Sequence, residues 1–99
     1  MKRVLFHPEA KNEMIDAARY YDVQKQGLGR RYLTAVQATI RRIQQVPGSF
    51  PKLDESIRRG RVERFPLGII FREMDDHIEI IAIIHFRRQP GYWKKRVGP

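Results

Sequence analysis

The stretch Ile78–Phe86, IEIIAIIHF, is one of the most apolar in this chain of 99 residues. Successive side chains of an extended strand point to opposite sides, so both sides of this strand would be apolar through its middle. A strand of this kind is typical of the centre of a sheet that is covered on both faces. Strict alternation predicts one side with Ile78, Ile80, Ala82 and Ile84, and the other with Ile81 and Ile83.

The end of this strand changes character. By the same alternation, His85 and Arg87 follow Ile81 and Ile83, so that face is predicted to become cationic at its end. The chain then continues as RRQPGYWKKR through residue 96, where cations alternate with Tyr92 and Trp93. A strand that only filled a core would need a turn at this point, so the cationic end is a candidate working surface.

Three further strands and two helices are predicted around this strand. Strands are expected at Arg3–His7, Ile57–Arg64 and Leu67–Glu73, and the polar run 74–77 between two apolar runs indicates a hairpin. Apolar residues at steps of three and four predict a helix from Pro8 to about Gln26 and a second helix that ends near residue 46. Glycines at 27 and 29 separate the two helices.

These elements predict a single α+β domain over residues 1–99. Its order is β-α-α-β-β-β, with a helical hairpin packed on a twisted, mainly antiparallel four-stranded sheet. One helical hairpin cannot cover both faces of such a sheet. Part of the second face should therefore be open or covered by a partner.

The composition limits the classes of function. The net charge of +9 favours partners that are acidic or phosphate-rich, or an anionic membrane surface. The absence of cysteine excludes disulfides and thiol chemistry, and the start of the chain lacks the features of a signal peptide. No stretch approaches the ~18 apolar residues of a membrane span. We therefore expect a soluble, cytoplasmic protein that needs no cofactor, and no metal site, since His7 and His77 have no further ligands at suitable spacing.

Arginines cluster on the three strands of the second half of the chain. Guanidinium groups gathered on one sheet surface can bind phosphates or the carboxylates of a partner. We expect this basic surface to bind the target or a partner protein. Its predicted members are Arg58, Arg59, Arg61, Arg64, Arg72, Arg87, Arg88 and Trp93.

His85 is the candidate for acid–base chemistry, because histidine is the side chain that exchanges a proton most easily near neutral pH. If the protein is a nuclease, His85, Arg64, Arg72, Arg87 and Tyr92 are the candidate catalytic residues. The alternative is that His85 only ends a core strand. Tyr92 and Trp93 could likewise stack on bases, or they could fix the tail back onto the sheet.

Four segments resemble the ParE/RelE superfamily of type II toxin–antitoxin modules, whose members are also described as plasmid stabilisation proteins. They are FHPEAKNEMIDAARYY (6–21), GLG (27–29), RVERFPLGIIFREMDDHIEIIAIIHFRR (61–88) and PGYW (90–93). The resemblance covers nearly the whole chain and implies two helices on a twisted antiparallel sheet. It also implies a cognate ParD- or RelB-like antitoxin that wraps the toxin and forms a hetero-oligomer with it.

The resemblance leaves two branches with different targets. RelE-like members cleave mRNA at the ribosome with a scatter of basic and aromatic side chains, whereas ParE-like members inhibit DNA gyrase. The lysine-rich pattern of RelE-like enzymes is missing here, because Lys52 is the only lysine between Gln26 and Lys94. The histidine-containing last strand is also more similar to ParE-like proteins. We therefore favour the ParE branch and keep a metal-independent, RelE-like endoribonuclease as the alternative.

Overall fold

The computed structural model describes residues 1–98, and its elements follow the predicted order. Strand β1 (Arg3–Phe6) is followed by helices α1 (Pro8–Gln24) and α2 (Leu28–Gln45). Strands β2 (Ile57–Arg61), β3 (Leu67–Glu73) and β4 (His77–His85) complete the sheet, and short 3₁₀ helices cover Pro47–Ser49 and Lys94–Val97. The predicted α+β fold is confirmed.

The sheet has the strand order β1-β4-β3-β2, which places the most apolar strand in an interior position. The β2–β3 and β3–β4 pairs are antiparallel, and β1 runs parallel to β4, so the sheet is mainly antiparallel as predicted. Strand β2 is shorter than predicted and ends at Arg61 rather than Arg64. Arg64 instead lies in the turn before β3 with a positive φ of 72°, which is incompatible with an extended strand.

The helical hairpin packs on one face of the sheet. Helix α2 buries Tyr32, Val36, Thr39 and Ile43 along one side. The helices lie close together at Gly29, whose N–H donates to Asp22 Oδ1 at 2.7 Å. A Cβ atom at Gly29 would lie only 2.4 Å from the carbonyl oxygen of Ala18, so this position requires glycine.

A β-bulge in β4 changes which side chains share a face. Ile70 pairs with Ala82 and Phe71 with Ile80, so Ile81 is an extra residue. The extra residue reverses the alternation beyond it. The predicted division of β4 is therefore wrong. Ile78, Ile80 and Ile83 belong to the core under the helices, whereas Ile81, Ala82 and Ile84 belong to the cluster on the opposite face.

The opposite face of the sheet is partly covered by the chain's own C-terminal tail. Trp93 is 4% exposed and packs in one cluster with Ile57, Ile70, Ile81 and Ala82. The expectation of an incompletely covered second face is thus modified, because the tail supplies much of the missing cover. Within residues 1–98, no helix is both long and apolar enough to cross a membrane.

Candidate functional site

A small cleft opens where β2, the end of β4 and the following turn meet. We call it the strand-end cleft, and its volume is about 240 Å³. Strand β2 contributes two arginines, β4 contributes its last residues, and the turn contributes a third arginine. Its lining residues are Arg59, Arg61, Ile84, His85, Phe86, Arg88 and Pro90.

Gly68 allows the two arginines of this cleft to pack against an aromatic ring. It pairs with Arg61 on one side and Ile84 on the other, and it has no side chain between them. A Cβ atom at Gly68 would lie 3.1 Å from Cγ and Cδ of Arg59 and 3.2 Å from the Phe86 ring. The Cζ atoms of Arg59 and Arg61 consequently reach 5.5 and 4.9 Å from the ring centroid of Phe86. Such cation–π contacts contribute roughly 0.5–1 kcal/mol each at exposed sites.

Within residues 1–98, the arginines of the strand-end cleft have no acidic partner. No carboxylate of the described residues lies within 4.0 Å of Arg59, Arg61 or Arg88. Arg88 lies over the Tyr92 ring, with its Cζ atom 4.1 Å from the ring centroid. These guanidinium groups are held in place by aromatic rings while their charge remains uncompensated. The cleft is therefore suited to an anionic group from outside the molecule.

His85 ends β4 and is exposed beside this cleft. It pairs with Leu67, which belongs to the core face, and it lies on the same side of the strand as Ile83, as predicted. The predicted position on the same side as Ile81 is wrong, because the bulge at Ile81 reverses the alternation. Its Nδ1 accepts the backbone N–H of Arg87 at 3.0 Å, and its carbonyl accepts that of Arg88 at 2.9 Å. In the neutral imidazole, the Nε2 atom then carries the proton and is the free donor. His85 thus positions the turn as well as lining the cleft.

A second cavity, of about 330 Å³, lies between α1 and the end of β4, and His85 and Arg88 line both cavities. Its polar centre is Glu13. The Glu13 carboxylate accepts hydrogen bonds from Arg96 Nη1 at 2.8 Å, from Arg96 Nη2 at 3.0 Å and from the Tyr92 hydroxyl at 2.5 Å. It also accepts the backbone N–H of Ile83 at 3.1 Å.

Titration of these groups is shifted by their surroundings. Burial alone would raise the pKa of Glu13, but the hydrogen bonds from Arg96 and Tyr92 outweigh it and hold that pKa below its ordinary value of 4.5. Burial, followed by the hydrogen bond to Glu13, raises the pKa of Tyr92. The Tyr92 hydroxyl is thus a poor proton donor to anything but Glu13.

The remaining arginines of the predicted basic surface lie elsewhere. Arg58 points to the helix side, where its Nη1 donates to the Phe50 carbonyl at 2.7 Å. Arg72 lies on the face of the sheet away from the helices, where it forms a 2.6 Å hydrogen bond with Glu79. It lies five residues along β3 from Leu67, the partner of His85, which is about 16 Å of strand. Arg64 lines a groove beside α2. The arginines are thus divided among at least three surfaces.

Tyr92 and Trp93 fix the tail to the sheet, which is one of the two roles considered above. The burial of Trp93 leaves no free ring face for stacking on a base. In residues 1–98, no group of three or more acidic or histidine side chains is arranged to hold a metal ion.

Sequence reasoning missed Glu13 and Arg96. Glu13 lies three residues after the buried Ala10 and four before the half-buried Ala17, so it falls on the inner side of α1. A carboxylate at such a position was the available signal of a buried partner. Arg96 had no comparable signal, because it is one cation among several in the tail.

Comparisons with known proteins agree with this fold. The family model described as "ParE toxin of type II toxin-antitoxin system, parDE" matches residues 4–90. Toxin ParE2 of Mycobacterium tuberculosis, from strains CDC 1551 / Oshkosh and ATCC 25618 / H37Rv, is 28% identical over 91 residues, which cover 91% of this chain and 87% of the relative.

A solved structure described as "Chromosomal ParDE TA system from P. aeruginosa" has the same fold, with a TM-score of 0.63 and 20% identity. The match covers 86% of this chain and 96% of that one. The family model extends over most of the chain, and the expected resemblance is confirmed. The chain belongs to the ParE toxin family of type II toxin–antitoxin systems.

Proposed function

We propose that this toxin acts by binding and blocking DNA gyrase, and that a cognate ParD-like antitoxin neutralises it in a hetero-oligomer. The similarity to Toxin ParE2 and to the toxin fold of a ParDE system supports this branch of the superfamily. In this proposal the toxin is a binding protein rather than an enzyme. Its working surface is the strand-end cleft with the turn that follows it.

The dispersal of the five candidate nuclease residues is the observation that carries the proposal. Cleavage of RNA needs a base, an acid and cations around a single phosphate. Arg72 is instead paired with Glu79, and Arg64 lines a different groove from His85. The Tyr92 hydroxyl donates to Glu13. Of the five candidate nuclease residues, only His85 and Arg87 are left without such a competing contact. Two groups are too few to supply a base, an acid and several cations.

The uncompensated arginines support a role in binding. Arg59, Arg61 and Arg88 converge on the strand-end cleft without a carboxylate partner among the described residues. In a protein of net charge +9, such a surface attracts an acidic patch of a target and speeds the encounter.

One observation favours the RelE-like alternative, a metal-independent endoribonuclease that cleaves mRNA at the ribosome. His85 is exposed beside the same three arginines, and a base next to unpaired cations is the beginning of a phosphodiester-cleaving site. The alternative therefore centres on His85 and does not require Arg64 or Arg72.

Induced expression in a bacterial host separates the two functions. DNA supercoiling and strand breaks are measured beside mRNA integrity on ribosomes, for the parent chain and for Arg59→Glu/Arg61→Glu, His85→Ala and the control Arg41→Glu. We expect DNA damage with intact mRNA, lost in the double variant and retained in His85→Ala and Arg41→Glu. Cut mRNA that disappears in His85→Ala, with normal supercoiling, would establish the nuclease instead.

A further inference from the structure

Arg88 differs from the other arginines of the strand-end cleft because it lies in a turn. Arg59 and Arg61 extend from β2, whereas Arg88 is exposed and lies three residues beyond the end of β4. The backbone of this turn is fixed by His85, whose Nδ1 and carbonyl accept the N–H groups of Arg87 and Arg88. These bonds leave the long side chain of Arg88 free to rotate, so another contact must position its guanidinium group.

The ring of Tyr92 supplies that contact. The Cζ atom of Arg88 lies 4.1 Å from the ring centroid, closer than Arg59 and Arg61 lie to the Phe86 ring at 5.5 and 4.9 Å. A guanidinium stacked on a ring uses its face for the contact and keeps the N–H donors at its rim. Arg88 can therefore be held by Tyr92 and still bind an anion.

Tyr92 is fixed in turn by Glu13. Its hydroxyl donates to Glu13 Oε2 at 2.5 Å, and Arg96, which binds both oxygens of the same carboxylate, lies 5.1 Å from the Tyr92 ring centroid. Glu13 belongs to α1, whose inner side packs into the core. A rigid helix is thus connected to the turn after β4 through one carboxylate and one ring.

Glu13 does not compensate the charge of Arg88. Each oxygen of its carboxylate already accepts two hydrogen bonds, which come from Arg96, Tyr92 and the backbone N–H of Ile83. This fills the usual acceptor capacity of a carboxylate. The charge of Glu13 is therefore used by Arg96, and that of Arg88 remains available to an anion from outside.

An effect of Glu13 on the strand-end cleft has to pass through Arg88. Neither Glu13 nor Tyr92 is among the described residues that line this cleft, whereas both line the second cavity. Arg88 lines the cleft and the cavity. The three residues therefore form a chain of contacts that leads from α1 to the cleft.

We propose that Glu13 is a positioning residue of the strand-end cleft, which holds the Arg88 guanidinium through Tyr92 so that it is ready to bind a carboxylate. A guanidinium binds a carboxylate through two parallel hydrogen bonds, and a side chain that is already ordered loses less entropy on binding. That the bound carboxylates belong to an acidic patch of the target rests on the proposed function. The positioning of Arg88 by Glu13 does not.

NMR measures the position of Arg88 directly in the full 99-residue chain. An aromatic ring shields the groups above it, so the side-chain N–H signal of Arg88 should lie upfield of that of the exposed Arg41. Its loss in Arg88→Ala identifies the signal. We expect Glu13→Ala and Tyr92→Phe, which break the bond between the two residues, to move the signal toward that of Arg41. A signal that both variants leave in place would overturn the role of Glu13.

A double-mutant cycle shows whether Glu13 acts on binding through Arg88. The probe is a fluorescein-labelled hexaglutamate peptide, and its binding is measured by fluorescence anisotropy. In the parent chain, we expect Glu13→Ala and Tyr92→Phe each to weaken binding about threefold to tenfold. In the Arg88→Ala chain, the same changes should alter binding less than about twofold. Circular dichroism confirms that each variant is folded, and Tyr92→Phe, which keeps the ring, serves if Glu13→Ala does not fold.

Two controls separate this role from a general effect on the fold. In an Arg59→Ala chain, the loss caused by Tyr92→Phe should persist in full, because Arg59 packs against Phe86 and not against Tyr92. Tyr20→Leu removes a 60% exposed ring that does not line the strand-end cleft, so it should change binding less than about twofold.

Two binding results would overturn the proposal. One is an equal loss from Glu13→Ala and Tyr92→Phe in the parent and Arg88→Ala chains, which would mean that Glu13 acts through the stability of the fold. The other is a parent chain that does not bind the peptide. Purified DNA gyrase is tested separately as a ligand. If the cycle holds for the peptide and the parent chain does not bind gyrase, the proposed target is wrong while the positioning of Arg88 stands.

Discussion

Glu13 of α1 and Arg96 of the C-terminal tail, 83 residues apart in sequence, form a two-pronged ion pair at the unpaired edge of β4. Strand β1 pairs with β4 only as far as Ile80. Beyond that point, Glu13 accepts the N–H of Ile83, and Arg96 Nη1 donates to the carbonyl of Ile81 at 3.0 Å. The two side chains thus occupy the backbone groups that a neighbouring strand would otherwise pair.

Breaking this pair should destabilise the protein strongly. The Arg96 side chain is 5% exposed and that of Glu13 is 17% exposed. In Glu13→Gln, the buried guanidinium loses its counter-charge, so we expect a loss of about 3 kcal/mol in the free energy of unfolding. Urea denaturation followed by circular dichroism measures it.

The matched control is Glu9→Gln. Glu9 is 55% exposed and lies 3.5 Å from Arg96 Nε, so its removal should cost less than about 1 kcal/mol. Equal losses in the two variants would mean that Arg96 is held by its general surroundings and not by Glu13.

The same pair predicts a dependence of stability on pH. The pKa of Glu13 is lower in the folded chain than its ordinary value of 4.5, so the unfolded chain binds more protons in acid. The contribution of ionised Glu13 to the free energy of unfolding is complete above about pH 5.5. It is lost as the pH falls through the pKa that Glu13 has in the folded chain. The difference in urea midpoint between the parent and Glu13→Gln should therefore shrink between pH 7 and pH 3.5. A difference that stays constant over this range would contradict the shift.

Removing the Trp93 ring should uncover the second face of the sheet. The ring fills a cluster with Ile57, Ile70, Ile81 and Ala82, so Trp93→Ala leaves a cavity and exposes apolar surface. We expect the free energy of unfolding to fall by about 3 kcal/mol. The loss cannot exceed the free energy with which the tail docks on the sheet, because the tail can detach. Tyr20→Ala, at a 60% exposed aromatic of α1, should cost well under about 1 kcal/mol by the same urea assay. A Trp93→Ala variant as stable as Tyr20→Ala would show that the tail is not part of the core.

Gly29 tests the packing of the helical hairpin, and Gly48, in the 3₁₀ helix after α2, is its control. A Cβ atom at Gly29 would collide with the Ala18 carbonyl oxygen and the Asp22 side chain, so Gly29→Ala should destabilise by about 2–3 kcal/mol. At Gly48 a Cβ atom would have no heavy atom within 4 Å, so Gly48→Ala should be neutral or stabilising by up to about 1 kcal/mol. Thermal unfolding of both variants compares them directly. A tolerated Gly29→Ala would mean that the helices can separate without cost.

Much of the fold follows from local patterns in the sequence. The apolar β4, the Pro8 helix start and the glycine break each act within a few residues, and all three were predicted. The face on which Ile83 lies was not predicted correctly. A bulge in a strand that is apolar on both sides does not change the sequence pattern of apolar residues.

The site was less predictable than the fold. Whether a given arginine is free depends on contacts across the chain, such as Arg72 with Glu79 on the neighbouring strand or Arg58 with the Phe50 carbonyl. The tail was equally ambiguous, because Trp93 in a basic segment could be exposed or buried with the same sequence around it. Only the three-dimensional arrangement shows which arginines line the strand-end cleft.

Arg64 has a strained backbone conformation in the turn before β3. Its φ of 72° is in the left-handed region, which costs a side-chain-bearing residue about 1–2 kcal/mol relative to glycine. Arg64→Gly relieves that cost but makes the unfolded chain more flexible, so we expect it to be neutral or stabilising by up to about 1 kcal/mol. Arg64→Val, with a branched side chain in the same conformation, should lose about 1–2 kcal/mol. Urea denaturation gives both values. An Arg64→Val variant as stable as the parent chain would contradict the strain at this position.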